Sequence, residues 1–249
     1  MSGSEQIGDS GEDKSREGIS MWKILWHPLQ LLTSNAFNRA IVKVSSFEKI
    51  DLDLIEELRG KINGVILDVD ETMGPHHGDP FPQNIEHVRQ MIASGRQVVI
   101  FSNMKKSDRY AELEAMGVKV ITSKYPKPDP RGFIECCQVM GLDPSEVVMI
   151  GDNFGTDGGC VNAGIDFIHV DPIKTEESVW KSVKRLPQTL SRSLFKYVSD
   201  IHDDAMGRLV LRDEHFGEGM SVLDMSHHIG QLLMDELVGD EDLLAEEVK

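Results

Sequence analysis

Between residues 60 and 175, short apolar runs alternate with amphipathic stretches, and glycines punctuate the turns. The stretches between the runs predict helices at about 83–94, 106–116, 130–140 and 156–163. Five runs have the continuous apolar character of buried parallel strands: 64–69, 97–102, 118–122, 146–152 and 165–170. Strands that alternate with helices predict an α/β fold with a doubly wound, parallel, five-stranded sheet.

The segments that flank this unit follow other patterns. Residues 1–20 are rich in Ser, Gly and charged residues, which predicts a disordered N-terminus. Residues 21–59 predict a helical N-terminal segment, with helices at about 28–43 and 51–59. Residues 176–249 are expected to form a C-terminal extension that is partly helical.

The formal net charge of the chain is −16, and much of it lies in the C-terminal extension. From Asp200 to the end, fourteen Asp and Glu residues stand against three Lys and Arg residues. The sequence shows no basic stripe able to displace the counterions of a phosphate backbone, so we do not expect nucleic acid as a partner. Apolar positions recur at helical spacing between Val222 and Leu237, which suits a protein partner for this extension.

Cysteine use and hydropathy indicate a cytoplasmic protein. The cysteines Cys136, Cys137 and Cys160 are odd in number and two of them are adjacent, as is typical of free thiols in a reducing compartment. No apolar run reaches the roughly 18 residues of a membrane span. Trp22 and Trp26 leave two roles open, since they either pack on the sheet or make a peripheral contact with the inner membrane surface.

Polar side chains follow four of the predicted strands at their carboxyl ends, which is where open parallel sheets bind ligands. They are Asp68, Asp70 and Thr72 after the first strand, Ser102 and Asn103 after the second, Lys127 after the third, and Asp152 and Asp157 after the fourth. Clustered carboxylates raise one another's pKa unless a cation lies among them, and an oxygen-only site suits Mg²⁺. A lysine beside the ion then predicts a phosphorylated substrate, because both positive charges would stabilise a phosphoryl group.

Four segments in chain order resemble the motifs of the haloacid dehalogenase (HAD) superfamily: DVDET (68–72), FSN (101–103), KPDP (127–130) and GDNFGTD (151–157). The resemblance covers roughly residues 60–172 and implies a HAD-like Rossmannoid fold and a Mg²⁺-dependent phosphatase. It also implies that Asp68 is the nucleophile that forms an aspartyl-phosphate and a metal ligand. Asp70 would be the general acid and base, and would offer its backbone carbonyl to the metal. The remaining implied roles are phosphate binding by Ser102, Asn103 and Lys127, and metal binding by Asp152 and Asp157.

Simpler roles remain open for some of these residues. Ser102 and Asp157 are also suited to capping the helices that follow them, and capping is compatible with ligand binding at a helix N-terminus. Glu71 departs from the Asn or Gly that is more usual at its place in the first motif.

The segment GDNFGTDGGCVNAGI (151–165) followed by HVDPI (169–173), together with the short gaps between motifs, looks most like subclass IIIA, which includes the phosphatidylglycerophosphate phosphatases. The gaps at 73–101 and 104–126 are each largely filled by one predicted helix, so an inserted cap domain does not fit. Among relatives, an uncapped site goes with large substrates or with a cap lent by a partner subunit, so the resemblance implies phosphatidylglycerophosphate or another large or exposed phosphate as substrate. Two alternatives stay open: a phosphatase of a small metabolite, nucleotide or phosphoprotein, and an interaction module of the same fold without turnover.

Overall fold

The computed structural model describes residues 39–104, 108–174, 193, 196–201, 203 and 210–216. Their centre is a seven-stranded sheet in the order β4-β3-β2-β5-β6-β1-β7, in which every pairing is parallel. The strands are β1 (Ala40–Val44), β2 (Gly64–Leu67), β3 (Gln97–Phe101), β4 (Lys119–Ile121), β5 (Val147–Gly151), β6 (Asp166–Val170) and β7 (Leu211–Arg212).

In the described part of the chain, the helices between these strands include α1 (Leu52–Arg59), α2 (Pro82–Ala93), α3 (Ala111–Ala115) and α4 (Pro130–Met140). Short 3-10 helices lie at Phe47–Lys49, Asp108–Tyr110, Pro144–Glu146, Asp157–Ala163 and Asp213–Phe216. Local sequence explains the helix ends. The Asp51 side chain caps α1 by accepting from two backbone N–H groups, and α4 begins at Pro130 and ends at Gly141 in the left-handed conformation.

The two faces of the sheet are covered by separate apolar clusters. One cluster joins α1, α2 and α3 to alternate residues of the strands, among them Val65 of β2 and Ile150 of β5. The other joins α4 and the 3-10 helix after β5 to Ile66 and Met149. This is the three-layer arrangement that the alternation of strands and helices predicts, and it leaves the carboxyl ends of β2, β3 and β5 side by side.

The predicted sheet was correct in its parallel α/β character but short by two strands. The helix predicted at about 28–43 is wrong over residues 40–43, because these residues belong to β1 between β6 and β7. All five residues of AIVKV are buried, and a short buried run of this kind is compatible with either a helix or a strand. The segment forms a strand because it pairs with β6. The predicted helix at 156–163 is a 3-10 helix at Asp157–Ala163.

The sheet also extends beyond the range 60–175 that was expected to contain it. Strand β7 comes from the predicted C-terminal extension and pairs with β1 at the edge of the sheet. In β1, the buried Lys43 lies 2.7 Å from Asp200 Oδ1 and 2.7 Å from Asp203 Oδ2. These ion pairs attach part of the extension to the sheet.

Several predictions fall outside the described residues. They are the disordered N-terminus at 1–20, the helix at about 28–38, the Trp22 and Trp26 contact, and the amphipathic segment between Val222 and Leu237. In the part of the chain that the structure does describe, no helix combines the length and the apolar character needed to cross a bilayer.

Candidate active site

Three carboxylates meet at the carboxyl end of the sheet. Asp68 directly follows β2 and Asp152 directly follows β5, and these central strands are hydrogen-bonded neighbours. The Asp68 N–H donates to the carbonyl of Ile150 at 3.0 Å, which extends the pairing to the point where both acids leave the sheet. One carboxylate oxygen from each of Asp68, Asp152 and Asp157 lies within 4.8 Å of the others. The sequence-based expectation that Asp68 and Asp152 come together is therefore met.

Asp157 reaches this group because a glycine ends β5. Asp157 Oδ2 accepts a hydrogen bond from the Asn153 backbone N–H at 3.1 Å. A Cβ atom placed on Gly151 would lie 2.4 Å from that same oxygen, so only glycine leaves space for the carboxylate. Asp157 is the first residue of the 3-10 helix, but the N-cap position belongs to Thr156 and no side chain caps the helix, so the alternative capping role of Asp157 is wrong.

Lys127 lies between two of the carboxylates. Its Nζ is 2.7 Å from Asp68 Oδ1 and 2.7 Å from Asp157 Oδ1, and the residue is only 3% exposed. Burial alone would lower the pKa of Lys127, but the two carboxylates outweigh burial and raise it above its ordinary value. The side chain is therefore a fixed positive charge beside Asp68.

The three carboxylates exceed this single positive charge. Burial raises the pKa of Asp68 to about 7 against the opposing effect of Lys127, and the neighbouring Asp157 and Asp70 add to the rise. Thr72, which is fully buried, donates from Oγ1 to Asp152 Oδ1 at 3.5 Å. An excess of buried carboxylate oxygens is what a hard divalent cation such as Mg²⁺ stabilises, so the donor set fits that ion.

Asp70 contacts a different set of residues. Arg109 donates from Nη1 to Asp70 Oδ1 at 2.8 Å and from Nη2 to Oδ2 at 2.9 Å, a bidentate pair. The His77 backbone N–H donates to Oδ1 at 2.7 Å. Burial alone would raise the pKa of Asp70, but the hydrogen bonds from Arg109 and His77 outweigh it and keep the pKa below the ordinary value.

The turn after Asp70 explains why Asn or Gly is more usual at the place of Glu71 in the first motif. Glu71 adopts φ 63°, in the left-handed region that glycine and asparagine occupy most easily. Its N–H donates to the Gly74 carbonyl at 2.9 Å, and its own carbonyl accepts from Ile173 at 2.7 Å. The sequence DVDET therefore places a strained residue directly after the second acid, Asp70, and backbone strain is common at functional sites.

Ser102 and Asn103 follow β3, as predicted, and only Asn103 has a hydrogen bond to Lys127 among the contacts described here. Ser102 Oγ accepts from the Met104 N–H at 3.1 Å and from the Tyr110 hydroxyl at 3.4 Å. Asn103 accepts from the Lys127 N–H at 2.8 Å and donates to the Lys127 carbonyl at 3.0 Å. Asn103 thus fixes the backbone that carries Lys127, and its direct contact with a phosphate stays a prediction.

Sequence reasoning missed Arg109 and the backbone of His77. Arg109 lies several residues beyond the strand-end motif and begins no recognisable pattern, so position alone gave no signal. The His77 side chain is exposed, but its backbone N–H donates to Asp70 Oδ1, and the residue type of a sequence position does not reveal a backbone contact.

Fold and site together define an α/β protein with an acidic centre at the carboxyl edge of a parallel sheet. A sequence model of the haloacid dehalogenase-like hydrolase family matches residues 21–160, more than half of the chain, and the protein belongs to this family.

Curated relatives match a smaller part of the chain. The acid sugar phosphatase of Staphylococcus aureus (strain USA300) is 40% identical over 67 residues, which is 26% of this chain and 25% of that protein. The chain therefore spans about a quarter of the length of the curated relatives that it matches.

Two solved structures are also similar. The 3-deoxy-D-manno-octulosonate 8-phosphate phosphatase from Moraxella catarrhalis is 15% identical with a TM-score of 0.34, over 41% of this chain and 64% of that one. The cobalt-bound deoxy-D-mannose-octulosonate 8-phosphate phosphatase from Haemophilus influenzae is 15% identical with a TM-score of 0.37, over 59% and 96% of the respective chains.

Proposed function

We propose that this hydrolase is a Mg²⁺-dependent phosphatase that cleaves phosphomonoesters through an aspartyl-phosphate on Asp68. The observation that carries the proposal is the position of Asp68, which lies 2.7 Å from the buried Lys127 and in one cluster with the carboxylates of Asp152 and Asp157. A nucleophile in this position has a cation beside it and acceptors for a metal ion, which is the arrangement that phosphoryl transfer requires.

The metal ion has a clear place in this proposal. Asp68, Asp152 and Asp157, with the backbone carbonyl of Asp70, would hold Mg²⁺. The bound ion would offset the carboxylates and stabilise negative charge on the phosphoryl oxygens. Three carboxylates with one lysine leave an excess of negative charge that a divalent cation compensates, and this donor set supports the assignment.

The reaction would take place in two displacements. In the first, a carboxylate oxygen of Asp68 attacks phosphorus, the bond from phosphorus to the leaving oxygen breaks, and Asp70 gives its proton to that oxygen. In the second, Asp70 takes a proton from water, the water oxygen attacks phosphorus, and the bond to Asp68 breaks to release phosphate. Lys127 and Ser102 would bind phosphoryl oxygens in both steps.

The evidence for the class of substrate is less direct than the evidence for the phosphatase reaction. The similarity to an acid sugar phosphatase favours a phosphorylated sugar or a related metabolite. The described residues 73–101 and 108–126 form α2, β3, α3 and β4 without an inserted domain, so an exposed phosphate such as phosphatidylglycerophosphate remains the alternative. Cytoplasmic location and a peripheral membrane contact remain predictions of the sequence.

Replacement of the nucleophile tests the proposal. Asp68→Asn should abolish Mg²⁺-dependent phosphate release from para-nitrophenyl phosphate, because the amide cannot form the aspartyl-phosphate. A matched control is Asp53→Asn on α1, whose side chain is 77% exposed and contacts Arg96, and which should retain the wild-type rate. Undiminished turnover by a folded Asp68→Asn variant would exclude Asp68 as nucleophile. Absence of any Mg²⁺-dependent turnover by the wild type would instead favour an interaction module without activity.

A further inference from the structure

The turn from Pro75 to Gly78 folds back onto Asp70 and carries two adjacent histidines. The Gly78 N–H donates to the Pro75 carbonyl at 2.8 Å, which closes the turn, and His76 and His77 are its central residues. The His77 N–H also donates to Asp70 Oδ1 at 2.7 Å. These two hydrogen bonds fix the position of the histidines relative to the Asp70 carboxylate.

The conformation of His77 allows the two imidazole rings to lie together. In a strand, adjacent side chains point to opposite faces, so adjacent histidines of a regular element rarely bind one ion. His77 instead adopts φ 60°, in the left-handed region. The ring centroids of His76 and His77 are 3.8 Å apart, with 33° between the ring planes. The turn therefore removes the usual obstacle to a shared ion.

Asp70 and the two histidines form a group of possible metal ligands. One carboxylate oxygen of Asp70 and one ring nitrogen from each of His76 and His77 lie within 4.8 Å of one another. His77 Nδ1 is 3.7 Å from Asp70 Oδ1, whereas two ligand atoms about 2.1 Å from a tetrahedral Zn²⁺ lie about 3.4 Å apart. The side chain of His77 is 56% exposed and that of Asp70 is 17% exposed, so an ion can enter from solvent.

The ion pair with Arg109 does not saturate the Asp70 carboxylate. Its two oxygens offer about four lone-pair positions. Arg109 donates to each oxygen once, and the His77 N–H takes a second position on Oδ1. One position on Oδ2 is left for a further ligand. Because Arg109 offsets the charge of Asp70, the imidazoles have to supply most of the affinity for an ion.

The donor set selects a different kind of ion from the carboxylate group around Asp68. The two groups share no residue. Mg²⁺ prefers oxygen ligands, whereas imidazole suits Zn²⁺ and Cu²⁺. Two histidines with one carboxylate also bind Zn²⁺ in catalytic sites that keep a position open to water. An excess of Mg²⁺ should therefore leave the histidine group available to Zn²⁺.

We propose that Asp70, His76 and His77 form a Zn²⁺-binding site separate from the proposed Mg²⁺ site, and that Zn²⁺ bound there inhibits hydrolysis. The binding of Zn²⁺ goes beyond the proposed phosphatase function and does not depend on it. The inhibition rests on that function, because an ion on Asp70 occupies the carboxylate that has to give and take the proton.

Cu²⁺ is the spectroscopic probe of this site, because it binds such ligands more tightly than Zn²⁺. We expect one equivalent of Cu²⁺, added to the full chain in excess Mg²⁺, to show imidazole nitrogen couplings in pulsed electron paramagnetic resonance. A carboxylate site does not produce them. The double variant His76→Asn, His77→Asn should lose most of this signal. The matched control is His227→Asn, His228→Asn, the other adjacent histidine pair of the chain, which should keep it.

Calorimetry and turnover measure the effect of Zn²⁺ itself. In excess Mg²⁺, the His76 and His77 double variant should bind Zn²⁺ about tenfold or more weakly than the wild type, whereas the control variant should match the wild type. The Zn²⁺ concentration that halves hydrolysis of para-nitrophenyl phosphate should increase by a similar factor in the double variant.

Two results would overturn the metal site. One is a lack of imidazole couplings in the wild type, which needs no variant and so is independent of variant folding. The other is an unchanged Cu²⁺ signal in a double variant whose circular dichroism spectrum matches the wild type. Neither depends on turnover, so both are distinct from a failure of the phosphatase proposal. Binding of Zn²⁺ without any effect on hydrolysis would refute the inhibitory role.

Discussion

Lys127 offers the sharpest test of the acidic centre, because it is the cation that the described residues place between Asp68 and Asp157. The substitution Lys127→Met removes the charge and keeps most of the side-chain volume. It leaves Asp157, which is fully buried, without the partner 2.7 Å away, and it leaves Asp68 with its carboxylate neighbours. The perturbation is therefore electrostatic rather than a loss of packing.

The size of the effect follows from burial. Removing one partner of a buried ion pair costs about 3–5 kcal/mol, because the remaining charge is left uncompensated in a poorly solvated position. We expect a loss of this order in the free energy of unfolding of Lys127→Met without divalent cations, at a pH above 7. Mg²⁺ should recover part of the loss, and its stabilising effect should be larger in the variant than in the wild type, because the site is more negative.

Urea unfolding followed by circular dichroism, in EDTA and in excess Mg²⁺, measures both quantities. Lys49→Met is the matched control, since Lys49 forms a 2.9 Å pair with Asp213 but is 44% exposed, and it should cost less than about 1 kcal/mol with no dependence on Mg²⁺. A loss below about 1 kcal/mol for Lys127→Met in EDTA would refute the electrostatic account. Equal stabilisation of wild type and variant by Mg²⁺ would refute the assignment of the ion to these carboxylates.

Two further predictions concern β1 and β6. Lys43→Met should lower the free energy of unfolding by about 3–5 kcal/mol, because it leaves the buried Asp203 without its 2.7 Å partner, and urea unfolding measures this loss. Burial lowers the pKa of His169 to about 4, so the unfolded chain takes up a proton before the folded chain does as the pH falls below 6.5. The stability present above pH 6.5 should therefore decrease by up to about 3 kcal/mol towards pH 4, and His169→Gln should lack this part of the pH dependence in unfolding titrations.

The sequence was sufficient for the centre of the sheet and for the acids that follow it. Strands β2 and β5 are continuous apolar runs, and each ends directly at an acid, Asp68 or Asp152. Neighbouring parallel strands end at one edge, so the acids had to meet once those strands paired. The apolar pattern of the strands and the rule that α/β sheets bind ligands at their carboxyl edge therefore predict the same site.

The sheet edges required information that local pattern lacks. Strand β7 has only two residues, and its partner Val42 lies far away in the chain. The AIVKV run of β1 includes a lysine that is acceptable in a buried strand only because Asp200 and Asp203 pair with it. These ion pairs join residues that are far apart in the chain, so no local sequence pattern shows them. The local pattern therefore gave no reason to reject a helix for this segment.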